Sequence, residues 1–521
     1  MKDKFWLLPA AVVALFSPVA RAETALLELR FLDLWDHAVD SRAEPLSEAP
    51  YRNVLPQTVH IDVADGGAND EDVFSRIVQK EPDSYSSEDA ARGVVTFGSQ
   101  PYAFVLVREG QGRDAYRRLH FDLNRNGDLT DDKVVEALRP DSRTDAKVSS
   151  NHSTFPRIDL EIDTEGVETD YAFSLQVANT QPRTGNGHVY AWFRAAVYRQ
   201  GAVKLNGKLT RIVVLDFNSN GRFDDVFVSA ERIVVATEKR IYPETGDKIL
   251  IDPDQEAFAS LYARAYAGVP LSKLVELEGR FYDLKIKGTG DRLTLTPSRV
   301  PIGYVANAAQ EFLALVYGED RCLKITASNG QPVPLPVGHW RLASCIVSHT
   351  ITPETSNPAD RAEQRIRMMN LPYGIAGRSQ VYAQATVDSP EIEVFEGRTV
   401  DFPFGPPYVA SMHVSFVYGK PTPRRASLRM SLIGSGMEAC NRIAVNGKTM
   451  PDPTFTIRTK AGECVKQGLL MAGCDTLSRY CFWKLPSTLE EEYHIHVDVD
   501  AGPFEVRDEQ DSVIAASQLQ P

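Results

Sequence analysis

The 521 residues predict a mainly β chain built as tandem β-rich domains, and three observations carry that reading. Short runs of β-branched, aromatic and aliphatic residues, bounded by Gly, Pro, Asn and Asp, recur along nearly the whole chain. One polar loop with Asn-Gly at its centre, flanked by such runs, occurs twice, beginning at Asp122 and again 94 residues later at Asp216. Stretches with helical spacing are few and short.

Residues 1–22 read as a secretory signal. Lys2 and Lys4 open it, Phe5 to Phe16 is its apolar part, and Ala20-Arg21-Ala22 is a small-x-small cleavage site. The apolar part is shorter than the roughly 20 residues a membrane span needs, and no later stretch reaches that length. The expected product is secreted, periplasmic or at the cell surface, cleaved near Ala22, with no transmembrane segment. Residues 23–140 form a β-rich domain beginning with the alternating run Leu26 to Leu32, followed by Val59 to Val63 and Tyr102 to Val107. A short helix is expected from Glu71 to Gln79, capped by Asn69 or Asp70. Residues 141–310 start the pattern again. Strands are expected at Phe155 to Ile162, Tyr171 to Val177 and Tyr190 to Tyr198, and a short packed helix at Gln255 to Ala267. Residues 311–400, with Glu311 to Tyr317, Leu323 to Ala327 and His339 to Val347, suggest a small β-sandwich. Residues 401–521 open at the Pro-rich Phe402 to Pro407. Val409 to Tyr418, Ala426 to Ile433 and Phe455 to Arg458 then follow at the spacing of an immunoglobulin-like β-sandwich.

Aligned on their first Asp, the two loops place side-chain oxygens at the same positions. Asp122 and Asp216 stand at position 1, Asn124 and Asn218 at 3, Asn126 and Asn220 at 5, and Asp131 and Asp225 at 10. Gly127 and Gly221 at position 6 allow a sharp turn, and Asp128 and Arg222 at position 7 offer backbone carbonyls. A hard cation takes six to eight oxygens at about 2.3–2.6 Å, which alternate positions of one loop can supply. The pattern resembles the D-x-[DN]-x-[DN]-G calcium loop of EF-hands, dockerins and thrombospondin type 3 repeats. That resemblance implies calcium as the cofactor, and flexible many-oxygen loops suit it better than magnesium.

Two departures separate these loops from a true EF-hand. Position 12 is Lys133 in one copy and Phe227 in the other, so the bidentate Glu is missing, and the flanks favour strands over helices. Each loop is therefore expected at the tip of a β-hairpin. The competing reading, a type I′ Asn-Gly turn, accounts for two residues per copy and leaves the repeated Asp and Asn positions unexplained. Arg113 to Asn124 and Gly207 to Asn218 match in layout, which supports an internal repeat. Gly279 to Leu293 echoes the strand without the oxygen set, so no metal is expected there. The order of parts is similar to large exported proteins of unknown function from environmental bacteria. This likeness covers most of the mature chain and implies architecture, but no reaction.

Charge and cysteines narrow the partners. Removing Lys2, Lys4, Arg21 and Asp3 with the signal takes the net charge from −13 to −15, a balance that argues against nucleic acid and for cations. Cys322, Cys345, Cys440, Cys464, Cys474 and Cys481 all fall in the last 200 residues, and in an exported chain they are disulfide candidates. Of the 15 pairings that six cysteines allow, Cys322–Cys345 and Cys474–Cys481 bracket turn-like stretches, which leaves Cys440 with Cys464. A zinc site is disfavoured, because no C-x-x-C spacing occurs.

Candidate catalytic features are weak. Gly434-Ser435-Gly436 lacks the spacing of a nucleophile elbow and reads as a turn. His494, His496, Asp498 and Asp500 alternate along one strand face, which reads as the solvated face of an edge strand more readily than as a transition-metal site. Adjacent acids such as Asp131-Asp132 and Asp224-Asp225 suggest glycoside hydrolysis less than metal ligation, since they sit inside the loop pattern. The sequence thus points to an exported, calcium-binding, non-enzymatic β-protein with a structural or binding role. The alternatives are an extracellular hydrolase of polysaccharide or peptide with β accessory modules, and a carbohydrate- or protein-adhesion protein. The partners expected are calcium ions and extracellular polysaccharide or protein.

Overall fold

The structure, a computed structural model, describes residues 22–33, 43–45, 59–64, 71–86, 89–108, 115–138, 152–180, 188–205, 207–235, 238–244, 246–251, 268–309, 311–319, 321–350, 378–417, 425–472, 479–486, 491–507 and 512–515. Most of the expected signal segment, the helix expected at 255–267, the cap expected at 69–70 and Cys474 lie outside the described residues. Among the described residues the chain is mainly β, with one helix, Glu71–Ile77. No helix described is long and apolar enough to cross a membrane.

Alternation in the sequence fixes which face each strand buries. Ile158–Thr164 sends Ile158, Leu160 and Ile162 inward and turns Asp159 and Glu161 to solvent. Gln100–Arg108 instead buries six consecutive residues, Tyr102 to Val107. Tyr102, Phe104 and Leu106 enter the main core of the first half, while Ala103, Val105 and Val107 meet Phe74 of the helix on the other face. The amphipathic helix thus covers a sheet that would otherwise expose a continuous apolar run.

Two large cores underlie the tandem β-rich arrangement. One runs from Ala25 to Leu295 and the other from Ile241 to Ile514. The boundary expected at 140/141 does not separate cores. Val59–Ala64 pairs with His188–Ala195, Glu28–Asp33 with Val197–Leu205, and Glu23–Leu26 with Arg292–Pro297. Those early strands find their partners far along the chain, a pairing that local sequence does not announce. At 400/401 the same holds: Arg378–Gln384 pairs with Ala439–Val445 inside one eleven-stranded sheet.

The two loops sit differently. The first joins Tyr116–Phe121 to Val135–Glu136, which pair antiparallel, so it is the hairpin tip expected. The second follows Lys208–Leu215 but does not close a hairpin. The chain leaves for a separate two-stranded sheet, Val228–Val235 with Glu238–Glu244, and only then returns as Lys248–Ile251 to pair beside Lys208–Leu215. A hairpin inserted after the second loop occupies the place where the first copy turns back directly.

The described cysteines do not make the Cys322–Cys345 or Cys440–Cys464 pairing expected, and Cys474–Cys481 involves a residue outside the described ones. Cys322 packs with Phe227, Ala343 and Ile346, whereas Cys345 enters the large second core from the other face of the same sheet. The Cys322–Cys345 bridge is not made. Cys440 lies in the eleven-stranded sheet and Cys464 on an exposed strand of a separate four-stranded one. Cys481 pairs in register with Leu428.

Candidate metal centres

Position 1 of each loop is a fully buried carboxylate. Asp122 accepts the backbone N–H of Asn126 at 3.1 Å and of Gly127 at 3.1 Å. Asp216 accepts those of Asn220 at 3.0 Å and Gly221 at 2.8 Å, and also the Tyr171 hydroxyl at 2.7 Å. The backbone follows one path in both copies. Position 4 (Arg125, φ 59°; Ser219, φ 58°) and position 6 (Gly127, φ 78°; Gly221, φ 86°) are left-handed. Asn126 and Asn220 between them are not, so neither copy is a type I′ turn, which needs positive φ at both central residues.

The amide side chains bind inward to position 10. Asn126 Nδ2 donates to Asp131 Oδ2 at 2.7 Å, and Asn220 Nδ2 to Asp225 Oδ2 at 2.7 Å, joined there by Asn218 Nδ2 at 3.0 Å; Asn124 Nδ2 stands 3.5 Å from Asp131. Asn124 Oδ1 accepts from Asn126, Asn126 Oδ1 from Asp128, and Asn220 Oδ1 from Arg222. Position 7 side chains turn away. Asp128 binds Lys80 at 2.9 Å and the Thr130 hydroxyl, which together hold it down at about 2. Arg222 reaches Asp224 and, at 2.8 Å, Glu165.

A third carboxylate completes each group, and the loop motif did not include it. In the first copy it is Asp132, which accepts the backbone N–H of Leu123 at position 2. Position 11 of the second copy is Val226. There Asp247 takes over: its Oδ1 accepts Phe217 N–H, also position 2, at 3.0 Å, and its Oδ2 accepts Asp225 N–H at 2.9 Å. Burial pushes Asp216 up to about 7, and burial together with the charges of Asp216 and Asp225 raises Asp247 well above the usual carboxylate range. Asp132 rises to about 6 from burial and the neighbouring Asp122 and Asp131. Its Oδ2 is buried with no hydrogen-bond partner.

Among the described residues, no three His, Cys, Asp or Glu side chains are gathered as a ready metal-holding group. The donors these loops present are mixed: carboxylates, Asn amides and backbone carbonyls, the set that calcium accepts. The orphan Asp132 oxygen and the mutual crowding of Asp216, Asp225 and Asp247 both suit a cation. Each loop also ties distant segments together. Gln79 and Lys80 N–H groups donate to Gly127 O, while Gly98 N–H donates to Asn220 O and Phe223 N–H to Gly288 O.

The remaining candidates resolve simply. His494, His496 and Asp498 have exposed side chains, with His496 3.3 Å from Asp498 and His494 3.4 Å from Glu492. Their strand is internal to its sheet, not an edge, because Glu492–Asp498 pairs on both sides. Gly434-Ser435-Gly436 is a turn, closed by Met437 N–H to Gly434 O at 3.0 Å.

No protein-family model matches the chain, and no curated protein matches it. Among solved structures it is similar to the Bacillus anthracis TIE protein, at 10% identity and a TM-score of 0.10, over 83% of this chain and 73% of that one. A likeness at that score leaves fold and function to be argued from the chain's own residues.

Proposed function

We propose that this is an exported, calcium-binding multidomain β-protein whose two loops hold ions in a structural role. The observation that carries the reading is the equivalence of the loops. Both run left-handed at positions 4 and 6, both bury the position 1 Asp, and both add a carboxylate at the N–H of position 2. In the first loop Asp122, Asn124, Asn126, Asp131 and Asp132 would hold the ion, with the Asp128 carbonyl. In the second, Asp216, Asn218, Asn220, Asp225 and Asp247 would do so, with the Arg222 carbonyl. A bound cation neutralises the crowded carboxylates and stiffens the segments that each loop ties together. Asp216 and Asp247 are fully buried, which suits ion ligation and not contact with a polymer substrate. Export rests on the signal pattern of residues 1–22, and a rigid exported scaffold is suited to binding extracellular polysaccharide or protein.

The test is thermal melting of the EDTA-treated mature protein with and without calcium, repeated on Asp122→Ala plus Asp216→Ala. Calcium should raise the melting temperature of the parent by mass action, about 2.7 kcal/mol per site at a hundredfold excess over Kd. The double variant should show no rise. A rise of equal size in both proteins, or none in the parent, contradicts the proposal.

A further inference from the structure

We propose that the outer face of the strands Val409–Val417, Arg425–Ile433 and Arg479–Lys484 binds an acidic polysaccharide. This names a partner for the exported binding role proposed above, and it rests on that reading for the class of polymer but not on the ions.

The sequence marks this face first. In a chain of net charge −13, no Asp or Glu occurs between Asp401 and Glu438, or between Asp475 and Glu490. Those two stretches carry Lys420, Arg424, Arg425, Arg429, Arg479 and Lys484. They also supply all three strands, which pair antiparallel with Arg425–Ile433 in the middle.

Alternation then sorts the side chains. Ala426, Leu428, Met430 and Trp483 enter the second core. Arg425 and Arg429 on the middle strand, with Tyr480, Phe482 and Lys484 beside it, therefore stand on the opposite face. Register sets them in rows: Arg425 lies opposite Lys484, Ser427 opposite Phe482, and Arg429 between His413 and Tyr480. Arg425 and Lys484 are exposed. Among the described residues, neither they nor Arg429 make an ion pair or a side-chain hydrogen bond. Like charges directly opposite on a sheet are destabilising. An anion lying over Arg425 and Lys484 turns that repulsion into attraction.

The aromatic residues narrow the kind of anion. Phe482 is 50% exposed and Tyr480 half-buried, their ring centroids 5.6 Å apart. Met471, opposite Tyr480, is 61% exposed. Large apolar side chains exposed together among polar ones mark a binding surface. A small inorganic anion would use the cations and leave these rings uncovered. A sugar ring has an apolar C–H face that packs on an aromatic ring, and a uronate adds a carboxylate that Arg grips with two hydrogen bonds. Arg425 and Arg429 are four residues apart, roughly 13 Å along the strand, and the Phe482 row lies between them. A polymer with repeated carboxylates can meet both cationic rows while a ring between them rests on Phe482.

Calorimetric titration of polygalacturonate into the full mature chain tests this, with the fully methyl-esterified polymer as its uncharged counterpart. Both titrations run in EDTA, so that calcium on the loops or the polymer plays no part and the calcium-dependent melting shift is read separately. Polygalacturonate should bind saturably, more weakly as salt rises, and the ester should bind at least about tenfold more weakly, the loss of one charge-assisted hydrogen bond. Arg425→Gln plus Lys484→Gln should cost a similar factor and melt no lower than the parent, because it removes the facing charges. Phe482→Ser, a surface change, should weaken binding severalfold and leave its salt dependence unchanged. The proposal is overturned by no saturable binding, by equal binding of the ester, or by parent affinity in the folded double variant or in Phe482→Ser. Capture on phosphatidylserine vesicles in place of the polymer would overturn it as well, and assign the face to a membrane.

Discussion

Asp132 and Asp247 occupy the same chemical position although one is contiguous with its loop and the other arrives 22 residues after Asp225. Each receives the backbone N–H of position 2 and crowds against the position 1 and position 10 acids. Their titration gives a testable consequence. Asp216 at about 7 and Asp132 at about 6 lie above the unfolded value near 4, and Asp247 shifts in the same direction. A folded pKa raised above the unfolded one contributes stability that is fully present below about pH 4 and is lost as pH rises through 6 to 7. In EDTA the melting temperature should therefore fall between about pH 4 and 7, and millimolar calcium should suppress most of that fall. Glu438, fully buried and pushed up to about 7, adds a decline of the same sign that calcium leaves in place and Glu438→Gln removes. A calcium-treated Glu438→Gln protein that still loses stability steeply over this range contradicts the assignment.

Among elements, the hairpin of the first loop was legible because it closes within one short stretch, although the place of Asp132 in it was not. The second was legible only up to Asp225, because the inserted hairpin Val228–Glu244 displaces both the pairing strand and the third carboxylate. Strand runs such as Tyr171 to Val177 were readable from alternation, whereas the partners of Val59–Ala64 and Glu23–Leu26 were not, since pairing over such separations leaves no local signal. Glycine at position 6 of the second loop is required twice over: φ is +86°, and an added Cβ would meet Gly98 N at 2.7 Å. Gly221→Ala should destabilise the protein by about 1–3 kcal/mol in urea titration and weaken calcium binding at that loop. A neutral effect would mean that the loop tolerates another path.

The Cys322–Cys345 pairing was misjudged for a similar reason. Spacing in sequence cannot show that Cys322 and Cys345 face opposite ways from one sheet. Burial raises both, while Cys464 is exposed. In the folded protein a thiol reagent, with sites mapped by mass spectrometry, should label Cys464 well before Cys322 or Cys345. Equal rates would contradict this packing.

At the scale of the molecule, the N-terminal strands stitch residues 25–295 into one core, and the loops clamp turns from several sheets of that core. Strand patterning set the mainly β class in advance, but the merging of the expected units at 140 and at 400 depended on long-range pairing. Two ions bound to one rigid body is the central claim, and calorimetric titration of calcium into the EDTA-stripped mature chain measures it directly. The parent should bind two ions, and Asp247→Ala should bind one, with the first loop unaffected. No binding heat in the parent, or two sites retained in Asp247→Ala, would contradict it.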